Sequence, residues 1–154
     1  MAKYRKNVAA IIMNDNNEML ICERSGNKNA WQFPQGGVDK GETVLDSLYR
    51  EVEEEVGLSR EHYEVLDEKS GYKYLYPAKV SQRKKHDGQQ QTYYLCKLKP
   101  GAPEVNITQE NQEFQDYDWV LPEEFDIMWV PKFKREVYSK VLSDFFGIEF
   151  SSVA

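Results

Sequence analysis

Two cysteines in 154 residues, no apolar run long enough to cross a bilayer and no surplus of positive charge exclude several classes of protein at the outset. Cys22 and Cys96 each sit in an apolar, strand-like run (MLICE, YYLCKL), where packed thiols are expected and a disulfide framework is not. The N-terminal MAKYRKNVAAIIMNDNN holds only a short apolar run closed at once by polar residues, unlike a signal peptide or a membrane span. A net charge of −6 argues against a broad surface that coats nucleic acid or grips a DNA duplex. It leaves open a grip on one RNA end, because bound metal would neutralise part of the negative charge. The two histidines, His62 and His86, carry no assigned role. There is no internal repeat, low-complexity tract or linker. With 40% hydrophobic and 13% aromatic residues the chain is expected to fold as one domain over residues 1–154.

What is present is concentrated between Gly36 and Leu58. The segment GGVDKGETVLDSLYREVEEEVGL reads G-x5-E-x7-R-E-V-x-E-E-x-G-L, filled by Gly36, Glu42, Arg50, Glu51, Val52, Glu54, Glu55, Gly57 and Leu58. Thr43 and Asp46 form a capping-box-like helix start, and Gly57 is a suitable stop because glycine takes the left-handed conformation that closes a helix. Between them Val44, Leu45, Leu48, Val52 and Val56 recur at helical spacing and are expected to pack on a sheet. Glu51, Glu54 and Glu55 stand at i, i+3 and i+4, within roughly 100° of one another around the helix. They flank the apolar stripe, while Arg50 and Glu53 are expected to point elsewhere. Three carboxylates crowded at the margin of a buried face repel one another and resist desolvation. A hard divalent cation with oxygen ligands, magnesium above all, removes that cost and takes substrate phosphates as further ligands. The alternative, that EVEEE is the solvated face of an acidic helix, is set aside because Gly36, Glu42, Arg50 and Gly57 fall in place with it.

Around this helix, NVAAIIMN and EMLICER read as two strands joined by an Asp-Asn-Asn turn, and WQFPQGG as a loop. YEVLDEK, a Tyr-rich stretch at 71–76, QTYYLCKL and FQDYDWVL read as further strands, with the polar, basic VSQRKKHDGQQQ as a loop. PKFKREVYSKVLSDFFG predicts a closing helix with Pro131 in its first turn and Phe133, Val137, Val141 and Phe145 on one stripe, ended by Gly147. The fold class expected is α/β.

The box is that of the Nudix hydrolases, and the chain is identified as a member of that family, with a mixed β-sheet sandwiched between α-helices. Beyond the box, residues 30–42 (AWQFPQGGVDKGE), 113–120 (EFQDYDWV) and 130–145 (VPKFKREVYSKVLSDF) resemble the bacterial RNA 5′ pyrophosphohydrolases, as do the N-terminal YRKNVAAII and the GQQQTYYL stretch. The resemblance covers almost the whole chain. It implies a cytoplasmic, metal-dependent enzyme that removes pyrophosphate from triphosphorylated RNA 5′ ends, leaving a monophosphate, as an initiating step of mRNA decay. The related diadenosine tetraphosphate hydrolases share WQFPQGG, so free nucleotides (diadenosine polyphosphates or nucleoside triphosphates) remain the alternative substrates. A monomer and a homodimer are equally compatible with the sequence. The chain departs from the family pattern at Lys6, where a proline is usual, and in the basic loop at 83–87.

The resemblance also assigns residues. Gly36, Glu51, Glu54, Glu55 and Glu113 would hold two or more magnesium ions, for which manganese would substitute. The proton of the attacking water would go to Glu54, Glu55 or Glu113, a coupled group within which the base is left open. Glu113 is otherwise a loop glutamate. Arg5 would grip phosphate, and Phe133 with Lys134 would stack on and hydrogen-bond a 5′-terminal base, although periodicity alone puts Phe133 in the apolar stripe of the closing helix. Apart from the resemblance, the charges of Arg83, Lys84 and Lys85 would steer an anionic substrate, or else form a solvated loop. Glu42, Arg50 and Gly57 are structural in the motif, with Arg50 orienting a box glutamate through an ion pair.

Overall fold

Seven strands form one mixed sheet in the computed structural model, which describes residues 1–78 and 85–150. They are β1 (Tyr4–Met13), β2 (Met19–Arg24), β3 (Trp31–Gln32), β4 (Gln35–Gly37), β5 (Tyr63–Leu75), β6 (Gly88–Leu98) and β7 (Phe114–Val120). The central strand β1 runs parallel to β6 over its whole length, and β5 closes that side antiparallel to β6. The other edge of β1 is shared: Asn7, Val8 and Ala9 pair with β4, while Met13 pairs with Met19 of β2. Beyond β2 lie β3 and β7, both antiparallel to it.

The unbroken apolar run of β1 follows from its place, since a central strand covered on both faces has no solvated side. Val8, Ala10 and Ile12 face helix α1 (Val44–Val56), with Leu48, Val52 and Val56 packed among them. Ala9, Ile11 and Met13 face helix α2 (Arg135–Phe146), through Val137, Tyr138, Val141 and Leu142. The sheet is therefore sandwiched between helices, as the resemblance implied, and both cysteines are buried free thiols. No helix among the described residues is long and apolar enough to cross a membrane.

The ends of α1 are set locally. Thr43 Oγ1 accepts the Asp46 N–H at 3.1 Å, and Gly57 closes the helix at φ 74° with its N–H on the Glu53 carbonyl. Several expectations need correction. Leu45 is exposed and does not pack on the sheet; its place is taken by Ser47, fully buried with its hydroxyl on the Val44 carbonyl at 2.6 Å. WQFPQGG is not all loop, because β3 and β4 form where it meets β2 and β1. The two strands expected in 63–76 are one strand, β5, with register shifts. Gly88 to Gln91 belong to β6 in spite of their polarity, because they continue its parallel pairing with β1. Arg135, and not Pro131, begins α2; Lys132–Lys134 is a separate 3-10 turn. Arg83 and Lys84 lie outside the described residues.

Candidate active site

Strand alternation makes the Gly36–Gly37 step a thin partition. A Cβ on Gly36 would fall inside the carboxylate of Glu51, which approaches from the α1 side. A Cβ on Gly37 would fall inside the guanidinium of Arg5. Two consecutive residues without side chains thus admit an acid from α1 and a base from β1 to the same piece of backbone. The Gly37 carbonyl between them accepts from Arg50 Nη2 at 2.9 Å.

Arg50 is the hub of this corner. It forks onto Glu42 through Nε (2.8 Å) and Nη2 (2.9 Å), and its Nη1 reaches Glu51 (2.6 Å) and Glu54 (3.3 Å). The Arg50 bond, with the Asp39 N–H (3.0 Å), holds the Glu42 carboxyl down at about 2. Arg50 therefore does not point elsewhere; it turns back across the helix and binds Glu51 and Glu54.

Those three carboxylates are graded in exposure. Glu55 is buried and accepts the Gln35 N–H at 2.9 Å; burial first, and then the charge of Glu51, push its carboxyl well above the ordinary range. Glu51 is partly buried and also raised, again chiefly by burial, with Arg50 opposing the shift. Glu54 is exposed. Glu113, exposed at the foot of β7, faces them across a cleft of about 480 Å³, and its charge adds to the upward push on Glu55.

The cleft is more acidic than the motif alone indicates. Besides Glu51, Glu54, Glu55 and Glu113 it is lined by Glu53, Glu110, Gln109 and Asn111. Glu53 was expected on the far side of the helix; it stands on the rim instead, because the 109–113 loop folds over that end of α1 and widens the face that counts as the site. That loop is fixed by Asn106 N–H on the Val56 carbonyl (2.9 Å), a long-range bond with no sequence pattern to announce it. The donor set is all oxygen and suits a hard divalent cation. Among the described residues no three His, Cys, Asp or Glu side chains already converge at ligand distance, since Glu51 and Glu54 are drawn to Arg50.

The remaining assigned residues lie on the other face of the partition. Arg5 borders a smaller pocket of about 210 Å³ with Tyr76, Lys85 and His86. Asp87 anchors this corner by exchanging backbone bonds with Lys3 and Tyr76, and its carboxylate accepts the Lys3 N–H at 2.8 Å. A string of buried amides follows along the same face: Gln91 Nε2 donates to Asn7 (2.9 Å) and Gln35 (2.8 Å), and Tyr74 OH bonds Gln89. Phe133, in the 3-10 turn, is half-buried with its ring 5.6 Å from that of Tyr74. Lys134 is buried and donates to Gln32 Oε1 at 3.1 Å. Arg5, Phe133 and Lys134 thus share one side of the sheet, the box glutamates the other.

The NUDIX domain family matches residues 3–144. The chain belongs to that family. Among its relatives, an RNA pyrophosphohydrolase of Nitratiruptor sp. is 41% identical over 149 residues, covering 93% of this chain and 94% of that protein. An RNA pyrophosphohydrolase of Campylobacter jejuni is 39% identical over 148 residues, covering 92% of each. The crystal structure of a C. elegans Ap4A hydrolase binary complex superposes with a TM-score of 0.65, covering 92% of this chain and 99% of that one; at 20% identity the likeness is one of fold. The Nudix fold explains the layout: the box helix and the short strand before it place carboxylates on one side of a glycine step.

Proposed function

We propose that this Nudix enzyme, a pyrophosphohydrolase by its family and relatives, removes pyrophosphate from triphosphorylated RNA 5′ ends and leaves a 5′ monophosphate, in the cytoplasm and as an initiating step of mRNA decay. The observation that carries the reading is the partition at Gly36–Gly37, with carboxylates on one side and Arg5 on the other. A polyphosphate laid across it meets cation-binding oxygens and a guanidinium within one residue of backbone. The family generally uses divalent metal ions, and the residues here fit one. Glu51, Glu54, Glu55 and Glu113, with a backbone oxygen at Gly36, would hold magnesium, and manganese would fit the same oxygens. Such ions, when bound, supply charge neutralisation on the phosphates and activation of water.

The chain's own groups supply the rest. The proton of the attacking water would go to Glu54, Glu55 or Glu113, of which Glu54 and Glu113 are exposed to the cleft and Glu55 is buried beside them. Arg50 holds Glu51 and Glu54 near the partition and does not reach substrate. Arg5 offers its guanidinium to the terminal phosphates, and Lys85 and His86 around the adjoining pocket offer donors to phosphates further along an RNA. Phe133 and Lys134 lie at the side of Tyr74 where a terminal base would be received.

The test offers 5′-triphosphorylated RNA, diadenosine tetraphosphate and free nucleoside triphosphates side by side, with magnesium and with excess chelator. Release of pyrophosphate with a monophosphorylated RNA end, at higher kcat/KM than for either free nucleotide and abolished by chelator, is expected. Higher efficiency on a free nucleotide would overturn the substrate, and full turnover in chelator would overturn the metal.

A further inference from the structure

Glu23 is a charged residue outside the box that is only 9% exposed, and the chemistry described so far makes no use of it. Its two oxygens have separate donors. Oε2 accepts the Asn29 N–H at 2.7 Å, and Oε1 accepts from Gln115 Nε2 at 2.9 Å. Gln115 in turn accepts the Gly26 N–H on its Oε1 at 3.2 Å. Asn29 and Gly26 both have left-handed backbones, φ 67° and 78°. The two left-handed corners of the 25–30 turn are therefore each tied by a backbone amide to this acid–amide pair.

The turn reaches the cleft through Ser25. Its N–H donates to the carbonyl of Glu113 at 2.8 Å and its hydroxyl to the carbonyl of Gln112 at 3.3 Å. Gln115 can reach Glu23 because the β2–β7 ladder slips there: Glu23 pairs with Asp116 and Arg24 with Phe114, leaving Gln115 as the extra residue of a bulge. Bulges of this kind re-aim a side chain and are enriched beside active sites. The pairing from Met19 to Cys22 does not depend on it.

We propose that Glu23 and Gln115 are positioning residues that latch the 25–30 turn and, through Ser25, hold Glu113 over the carboxylate cleft. The proposal rests on the reading of Glu113 as a working group of that cleft. The latch is directional. Glu23 only accepts, Gln115 donates to it and accepts from Gly26, and every partner is used.

That directionality supplies the test. In E23Q the new amide nitrogen confronts a donor at either Asn29 or Gln115, so one bond is lost. In E23Q/Q115E the amide at 23 accepts from Asn29 and donates to the carboxylate at 115, which still accepts from Gly26, and the network closes again with its polarity reversed. Amide hydrogen exchange and kinetics on the same RNA substrate are measured for wild type, E23Q, the double variant and E113Q. E23Q should exchange faster at 25–30 and 109–113 and lose about tenfold in kcat with KM little changed, the cost of a displaced group. The double variant should recover both. Unchanged exchange in E23Q, or failure of the double variant to recover, overturns the latch. Faster exchange with kcat intact, while E113Q lowers kcat, overturns the link to catalysis. If E113Q leaves kcat intact, the reading of Glu113 fails and the positioning role with it, and the exchange data show separately whether the latch itself exists.

Discussion

At the scale of single residues, the corner around Gly36 works by the exclusion of side chains. Gly36 lies in a short strand and not in the left-handed region, so alanine suits its backbone; the obstacle is the Glu51 carboxylate occupying the place of a Cβ. G36A is therefore expected to fold, with a thermal midpoint near that of wild type, but to lose at least about 10²-fold in kcat as Glu51 is pushed aside, the scale of an ångström-sized displacement of a catalytic group. A G36A enzyme of full activity would show that Glu51 can move without consequence. Glu42 presents a different case, since its carboxyl is held at about 2 by Arg50 and by the Asp39 N–H, against an ordinary value of 4.5. A lowered carboxyl stabilises the folded chain above its unfolded value and stops doing so as pH falls through the folded one. E42Q should thus be less stable than wild type at neutral pH, and the gap should close as pH falls from 4.5 to about 2 in paired thermal melts. A gap independent of pH would assign the loss to packing.

Elements were legible in proportion to how locally they are determined. The box helix was readable end to end because Thr43, Asp46 and Gly57 act within its own turns, and the spacing of Glu51, Glu54 and Glu55 fixed their shared face. Strands β3 and β4 were not readable inside WQFPQGG, nor Gly88 to Gln91 as strand, because pairing with β2 and β1 decides them and their own residues do not. For the same reason the reach of the 109–113 loop over α1, which brings Glu110 and Glu53 to the cleft, had no local signal. In the closing segment Phe133 is in phase with Val137 and Val141 and packs against the same core, but it does so from a 3-10 turn before α2, half-buried on Tyr74. Its ring thus lies between the core beside α2 and the amide string near Tyr74. F133A should weaken kcat/KM on RNA ends by about 1–3 kcal/mol, the value of one stacked base, and barely change hydrolysis of free triphosphate. Thermal melts taken alongside measure the lost packing on Tyr74, and equal losses on both substrates would return Phe133 to the core.

At the scale of the whole molecule, a chain of net charge −6 proposed to act on RNA cannot rely on long-range attraction and must place positive groups where phosphates arrive. Arg5 and Lys85 around one small pocket are such a placement, held by Asp87 against the start of β1 and separated from the carboxylates only by the glycine step. Each phosphate of a single strand neutralised by the protein contributes about −0.7 to the slope of log affinity against log salt. Lys85 precedes β6, which flanks β1 on the edge away from β4, so in the proposed reading its partner would be a phosphate of the RNA body. In K85A the salt slope of kcat/KM for a 5′-triphosphorylated oligonucleotide should become shallower by about 0.7, with kcat at saturation unchanged. Free nucleoside triphosphate, which has no phosphate to offer at that position, should show the same salt dependence in K85A as in wild type. The measurement is a pair of salt titrations at constant free magnesium, so that competition at the carboxylates does not vary with ionic strength. A slope unchanged on RNA would make Lys85 a solvated loop residue, and an equal change on both substrates would place it against the terminal phosphates beside Arg5.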